Sequence, residues 1–458
     1  MEWNSVPRSR RLALPLCSAL CAAAAVGAQP AQQPKGLPFL DSEVAMAVGA
    51  TDYLRRSGDQ SPVRAYPARA AYFRTRGEIA NSDKWAQRCI DDPAVQAEPH
   101  SLSLYQCLGI LAGNHLWRGE IGAWAETMVK VRRLGSGTPY LAGSALYQQS
   151  ALGQLPFESF TERPTAQVVA RPKGVVEVPV RYEKGWPVIV ATLSGGTGPG
   201  RNVKVEFLVD TGATQSFIAP AFARQLKLQS TPGFRQEQQG GTVVTTALVE
   251  PVDLEIGGVR IKDVSFAQTD AIPFTIIGLD VLRQLGPLLL SDDVLRVLGP
   301  AWRYTGCQSP LRVTSDPWGR YWNLRSPMRI DGVDKLVMAD TGMTGLLEVR
   351  DTREPQPADA RWNDQAITTM MGRVDRRVRT QAVQVAGAGL SGQLQATIVQ
   401  PPGRMLAAEN WIIGGEMLKT HNLLLNADRA QMCWQRREGA GSQRWSATGL
   451  HPPGPVGR

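Results

Sequence analysis

Between about Asp41 and Phe160 apolar residues recur at helical spacing, and after Gly174 they fall in short β-branched runs. In the first stretch Leu104, Leu108 and Leu111 share one face, as do Ile121, Trp124, Ala125, Met128 and Val131 in the next segment. That spacing is the signature of helices that bury one stripe. Ser101 reads as an N-cap, and Gly113 and Gly135 read as helix stops. Residues 38–160 are therefore expected to form an all-α domain of helical hairpins. Residues 161–173, with Pro164, Pro172 and few large apolar side chains, read as a linker.

Past the linker the pattern is that of strands. Val175–Tyr182 and Pro187–Leu193 are two of them, and the glycine cluster 195–200 is a hairpin loop before a strand ending at Asp210-Thr211-Gly212. The cluster lacks the Gly-Lys-Ser/Thr ending of a phosphate cradle and precedes a strand, so it is read as a turn. The order then repeats: a strand over Tyr321–Ile330, a turn at Asp331-Gly332, and Lys335–Ala339 leading into Asp340-Thr341-Gly342. Downstream, Ile276-Ile277-Gly278-Leu279-Asp280 matches Ile412-Ile413-Gly414-Gly415-Glu416. Gly278 lies 68 residues after Asp210, and Gly414 lies 74 after Asp340. Another apolar strand follows each, Leu288–Leu290 and Leu423–Leu425. This is an internal duplication, read as two homologous β lobes over residues 174–300 and 301–436, with a disordered tail over 437–458.

Two carboxylates on matching loops carry a specific chemistry. Hydrolysing a peptide without a metal or a covalent intermediate needs a base for water and an acid for the carbonyl oxygen. Two carboxyl groups sharing one proton supply both, because like charges a few ångströms apart cannot both ionise easily. Such a pair titrates as a unit, so neither Asp210 nor Asp340 is the base by sequence alone. Thr211 and Thr341 suit hydrogen bonding between the two loops, and Gly212 and Gly342 permit close backbone approach. Ile276-Ile277-Gly278 and Ile412-Ile413-Gly414 read as buried strands whose glycine lets the Asp loop pass. Asp280 and Glu416 fall in the first turn of a helix, where an acid is favoured.

Val209-Asp210-Thr211-Gly212-Ala213, with Ile276-Ile277-Gly278-Leu279-Asp280-Val281-Leu282, resembles the retropepsin-type aspartic proteases; the second half resembles them less closely. Together the matches span residues 174–436. The resemblance implies mainly-β lobes of closed, folded-barrel form. Two lobes in one chain resemble the pepsin arrangement, with Asp210 and Asp340 meeting in cis as the catalytic pair and Thr211, Gly212, Ala213, Thr341 and Gly342 supporting them. It implies a flap over the cleft, for which the hairpin at Gly240 and Gly241 is the candidate. In lobe two Gly372 occupies the corresponding region, beside Arg373, Arg376, Arg377 and Arg379, a solvated basic face or a preference for acidic substrates. Ala213 fits the retropepsin pattern, whereas Met343 departs from both that pattern and the pepsin one. Without a hydroxyl there, the pair is expected to titrate above pepsin's. The implied function is an aspartic endopeptidase with no cofactor and no metal, acting on a protein or peptide. The alternative is a non-catalytic retropepsin-fold binding or scaffold protein with a helical adaptor, a reading that Met343 feeds. The helical hairpins are loosely like tetratricopeptide-type repeats, without a repeat period, and offer a surface for a protein partner.

Composition narrows the field further. At 458 residues, 43% hydrophobic and 20% charged, the chain is of globular type with room for two or three domains. A formal charge of +9 is modest for this length, and its basic residues are scattered apart from Arg373–Arg379, so no nucleic-acid partner is expected. Arg8, Arg10 and Arg11 precede an apolar run from Leu12 to Val26, and Val26-Gly27-Ala28 fits a cleavage site. Residues 1–28 thus read as a signal peptide, the protein as periplasmic or secreted, and no other membrane segment is expected. Export leaves Cys89, Cys107, Cys307 and Cys433, for which proximity favours Cys89–Cys107 and Cys307–Cys433 disulfides. The four histidines, His100, His115, His421 and His451, offer no triad and no His-Glu-x-x-His zinc motif.

Overall fold

The computed structural model describes residues 38–59, 62–96, 102–137, 155–195, 202–239, 242–299, 302, 306, 309–350, 362–369, 372–400 and 410–437. Residues 1–28, Ser101, His100, Gly240, Gly241, Cys307, His451 and the tail beyond 437 lie outside them.

A helical region leads into a mostly β region. Its helices are α1 (Pro38–Val48), α2 (Thr51–Ser57), α3 (Pro62–Thr75), α4 (Ile79–Asp91), α5 (Pro93–Gln96), α6 (Leu102–Trp117) and α7 (Ile121–Gly137). α4 buries Ser82, Ala86 and Cys89, one per turn, and α7 buries Ile121, Trp124, Ala125, Met128 and Val131. α6 is different: from Tyr105 to Trp117 nearly every residue is buried, because it runs through the middle of the helical region. A Cys89–Cys107 disulfide ties α4 to α6. Cys433 is also disulfide-bonded.

Gly113 and Gly135 do not stop their helices; α6 continues to Trp117 and α7 to Gly137. Gly113 is needed for packing. A Cβ there would lie 2.4 Å from the Pro317 carbonyl oxygen and 2.3 Å from the Arg74 guanidinium. The glycine therefore opens the helix surface to another segment, which local sequence does not reveal.

In the β region the duplication is visible strand by strand. Asn202–Val209 lies between Trp186–Ser194, antiparallel, and Ile276–Ile277, parallel. Val333–Asp340 lies between Trp322–Ile330, antiparallel, and Asn410–Gly414, parallel. Each Asp-Thr-Gly therefore leaves the end of a strand held on both sides. In the second half, Leu347–Arg350 adds a strand against Asn410–Gly414. In the first half the same place carries only a bridge from Phe217 to Ile276. Within the stretch read as a linker, Gln167–Ala170 forms an edge strand on Val259–Val264.

A further sheet joins the halves. Its order is Val176–Pro179, Val294–Val297, Leu288–Leu290, His421–Asn426 and Gln431–Arg436, and the seam is Leu289 opposite Leu424. One apolar core runs through both halves, from Val209 and Ile277 to Val337, Ala339 and Ile413. Continuity of this kind fixes the two Asp loops relative to each other more firmly than a hinge between separate cores would.

The helical region is packed into the same core. Trp117 stacks on Trp322 with ring centroids 4.6 Å apart. Arg74 is fully buried and lies over the Trp322 ring, 4.7 Å from its centroid. Its guanidinium donates to Asn114 Oδ1 (2.8 Å), the Asp316 carbonyl (2.8 Å), the Pro317 carbonyl (3.0 Å) and the Ile110 carbonyl. Glu43 of α1 is buried near the Asp316–Arg320 ion pair, and burial pushes its carboxyl up to about 8, so it sits there neutral at ordinary pH.

Candidate active site

The two Asp-Thr-Gly loops are interlocked. A Cβ on Gly212 would lie 2.4 Å from the Asp340 carboxyl carbon, and one on Gly342 would lie 2.5 Å from that of Asp210. Each loop's glycine thus makes room for the other loop's aspartate. Each carboxyl group therefore lies against the other half's loop, close enough that each aspartate acts on the titration of the other.

Reciprocal threonine bonds hold the loops in register. Thr211 Oγ1 donates to the Ala339 carbonyl (2.8 Å) and accepts from the Thr341 N–H (3.1 Å). Thr341 Oγ1 donates to the Val209 carbonyl (2.7 Å) and accepts from the Thr211 N–H (3.1 Å). All four groups are buried, where a satisfied network is rigid and a broken one costly.

The halves differ in how they treat the carboxyl group. Asp210 Oδ1 accepts from the Gly212 N–H (2.7 Å) and the Ala213 N–H (3.1 Å). Asp340 Oδ1 accepts from the Gly342 N–H (3.0 Å), while the Met343 N–H turns to the Asp340 carbonyl (3.1 Å). Met343 leaves the loop's frame intact all the same: Gly415 donates to its carbonyl at 2.7 Å, as Leu279 donates to that of Ala213 at 2.8 Å. Beneath each loop the apolar Ile-Ile-Gly strand passes close. A Cβ on Gly278 would lie 2.7 Å from the Ala213 carbonyl oxygen, and one on Gly414 2.2 Å from that of Gly345.

Burial pushes the Asp210 carboxyl well up, and the charge of Asp340 adds to that rise. Burial also raises Asp340, against the opposing pull of Arg350. A pair in this state keeps one proton between its members over a wide pH range.

Asp280 supports the first loop from below. It is buried and accepts from Gln215 Nε2 (2.6 Å) and Ser216 Oγ (2.6 Å), and Ser216 Oγ accepts from the Gly278 N–H (2.9 Å). Glu416 is more open and meets Lys419 at 3.4 Å.

Four neighbours escape a sequence reading. Trp186 Nε1 donates to the Gly342 carbonyl (2.7 Å), and Thr214 Oγ1 accepts from the Trp322 N–H (2.9 Å), each crossing between halves. Glu348 and Arg350 are paired at 2.5 Å and both act on Asp340. The one available signal is a buried charge in an otherwise apolar strand, where the first half has Phe217. The strands on either side of the flap candidate, Ser230–Gln239 and Thr242–Val249, pair antiparallel, with Gly240 and Gly241 themselves outside the described residues, and in the second half Asn363–Thr369 pairs with Gly372–Gly387. Arg377 and Arg379 there lie over the Trp362 ring, at 5.8 Å and 5.7 Å.

Residues 200–284 match the family described as "gag-polyprotein putative aspartyl protease". Among solved structures, the EIAV protease complexed with the inhibitor HBY-793 is 27% identical, over 22% of this chain and 88% of that one, with a TM-score of 0.19. That score says nothing of the architecture as a whole. No curated protein matches. The segment that carries Asp210, the strand leading into it and Gly278 is thus the part of this chain that is similar to that aspartyl protease family.

Proposed function

We propose that the protein is an exported aspartic endopeptidase in which two retropepsin-like lobes of one chain, in a pepsin-like arrangement, supply Asp210 and Asp340 to a single water. The observation that carries this reading is the mutual contact of the loops, each glycine lying against the other half's carboxyl group. In the reaction the ionised carboxylate takes a proton from water as its oxygen attacks the peptide carbonyl. The neutral carboxyl gives its proton to the carbonyl oxygen, so the tetrahedral diol carries no charge. Collapse of the diol passes a proton to the amide nitrogen as the C–N bond breaks, and the pair returns to its one-proton state. No covalent intermediate forms. The Thr211–Thr341 network keeps the carboxyl groups from drifting apart, and the continuous core beneath them keeps the geometry preorganised.

Met343 weighs less against catalysis than its sequence suggests, because its carbonyl accepts from Gly415 as that of Ala213 accepts from Leu279, even though its N–H does not reach the carboxyl group as that of Ala213 does. The substrate is an extended peptide held along the hairpins by strand addition.

The pH profile tests this reading. Activity requires one proton on the pair, so it falls on the acid side when both carboxyls are protonated and on the alkaline side when both ionise. Both groups are raised by burial, which moves the alkaline limb upward. Cleavage of a peptide library is expected to be bell-shaped with its maximum between about pH 4 and 7. A bell centred near pH 2, or no cleavage at any pH, speaks against the assignment.

A further inference from the structure

The paired strands Ser230–Gln239 and Thr242–Val249 are held at the base of their hairpin by the helical region. Their pairing is regular except between Pro232 and Arg235, where Gly233 and Phe234 bulge out. Gly233 has φ of +80°, and a Cβ there would lie 2.7 Å from Pro156 Cδ, so this position requires glycine. A bulge bends its strand and re-aims a side chain. Here it turns Phe234, fully buried, into the helical region, where its ring lies 5.3 Å from that of Trp124 in α7 and 5.6 Å from that of Phe160. Arg163 adds a polar clasp to both strands. It donates to Thr231 Oγ1 (2.8 Å) on one and to the Val249 carbonyl (3.0 Å) on the other. The apolar cluster that seats Phe234 also contains Leu208 and Ile276, on the strands that flank the Asp210 loop.

We propose that the helical region, with the segment 155–163 that follows it, is a fixed anchor for this hairpin, and that Phe234 and Arg163 are positioning residues that set how the hairpin stands relative to the strands flanking the Asp210 loop. On this view the region is a permanent part of the working protein and not a segment to be shed. An anchored base restricts the hairpin to bending beyond the bulge, so less ordering is left for substrate to impose. The kinetic consequence rests on the peptidase reading, whereas the mechanical one does not.

The test compares full-length wild type with Phe234→Ala, Arg163→Ala and Phe234→Leu by amide hydrogen exchange and by peptide cleavage. In the first two, exchange along Thr242–Val249 is expected to accelerate about tenfold while Trp186–Ser194 stays protected. KM for a peptide should rise about tenfold with kcat and the pH profile little changed, and Phe234→Leu should recover most of the loss. The proposal is overturned if a folded Phe234→Ala or Arg163→Ala keeps wild-type exchange in the hairpin, or if exchange rises equally in all strands. Should Phe234→Ala fail to fold, Arg163→Ala, whose side chain is only half-buried, carries the same comparison. If wild type cleaves no peptide, the peptidase reading fails, and the exchange data still decide the anchor.

Discussion

Asp210→Asn and Asp340→Asn, made singly, are each expected to lower peptide hydrolysis by about 10³-fold or more. An amide can neither take the proton of water nor share one with the remaining carboxyl, so either substitution removes both the base and the acid function of the pair. The fold should survive, because the Asn carbonyl oxygen can still accept from the Gly212 or the Gly342 N–H. Stability should even rise at neutral pH. A carboxyl whose folded pKa is raised contributes stability in full below its unfolded value, about 3.9, and loses it as pH climbs through the folded value. Both aspartates are shifted in that direction, so removing one relieves a cost that grows toward neutrality. Turnover measured beside the melting temperature at pH 4 and pH 7 separates loss of chemistry from loss of fold. Substantial activity in either variant means that the aspartate it removes is not part of the reaction.

Arg74→Ala should destabilise the protein by about 3–5 kcal/mol, read from denaturant unfolding. The guanidinium is fully buried and satisfies three carbonyls and one side-chain amide drawn from α6 and from residues 316–317. Its loss strands those acceptors and leaves a void under the Trp322 ring. The effect should reach the active site, since the Trp322 N–H donates to Thr214 in the first Asp loop. A change below about 1 kcal/mol would mean that the helical region is not welded to the β region as described.

The paired aspartates, their threonines and the Ile-Ile-Gly strands were legible because each is a local pattern that occurs twice. A duplicated motif says that its two copies share a local structure, and the parallel pairing itself, Val209 beside Ile277 and Ala339 beside Ile413, is added by the fold. The joining sheet was half legible. Leu288–Leu290 and Leu423–Leu425 stand out as apolar runs, yet nothing local says that they pair with each other. Helical stripes were readable where one face is wet, as in α7, and blurred in α6, which is covered on nearly all sides. Gly113 was misread because its reason lies more than two hundred residues away, at Pro317. The Arg74 cluster and the Phe234 bulge were not readable at all, and the Glu348–Arg350 pair only as charge in an apolar strand, because long-range packing makes those residue types meaningful.

Specific activity on a peptide library, followed as the protein is diluted over several orders of magnitude, bears on whether one chain holds the whole of the proposed catalytic pair. Asp210 and Asp340 meet within a single chain, so activity per chain should stay constant on dilution. Activity per chain that falls with dilution would place the working site between two chains, and no cleavage at any concentration would leave a fold without the chemistry.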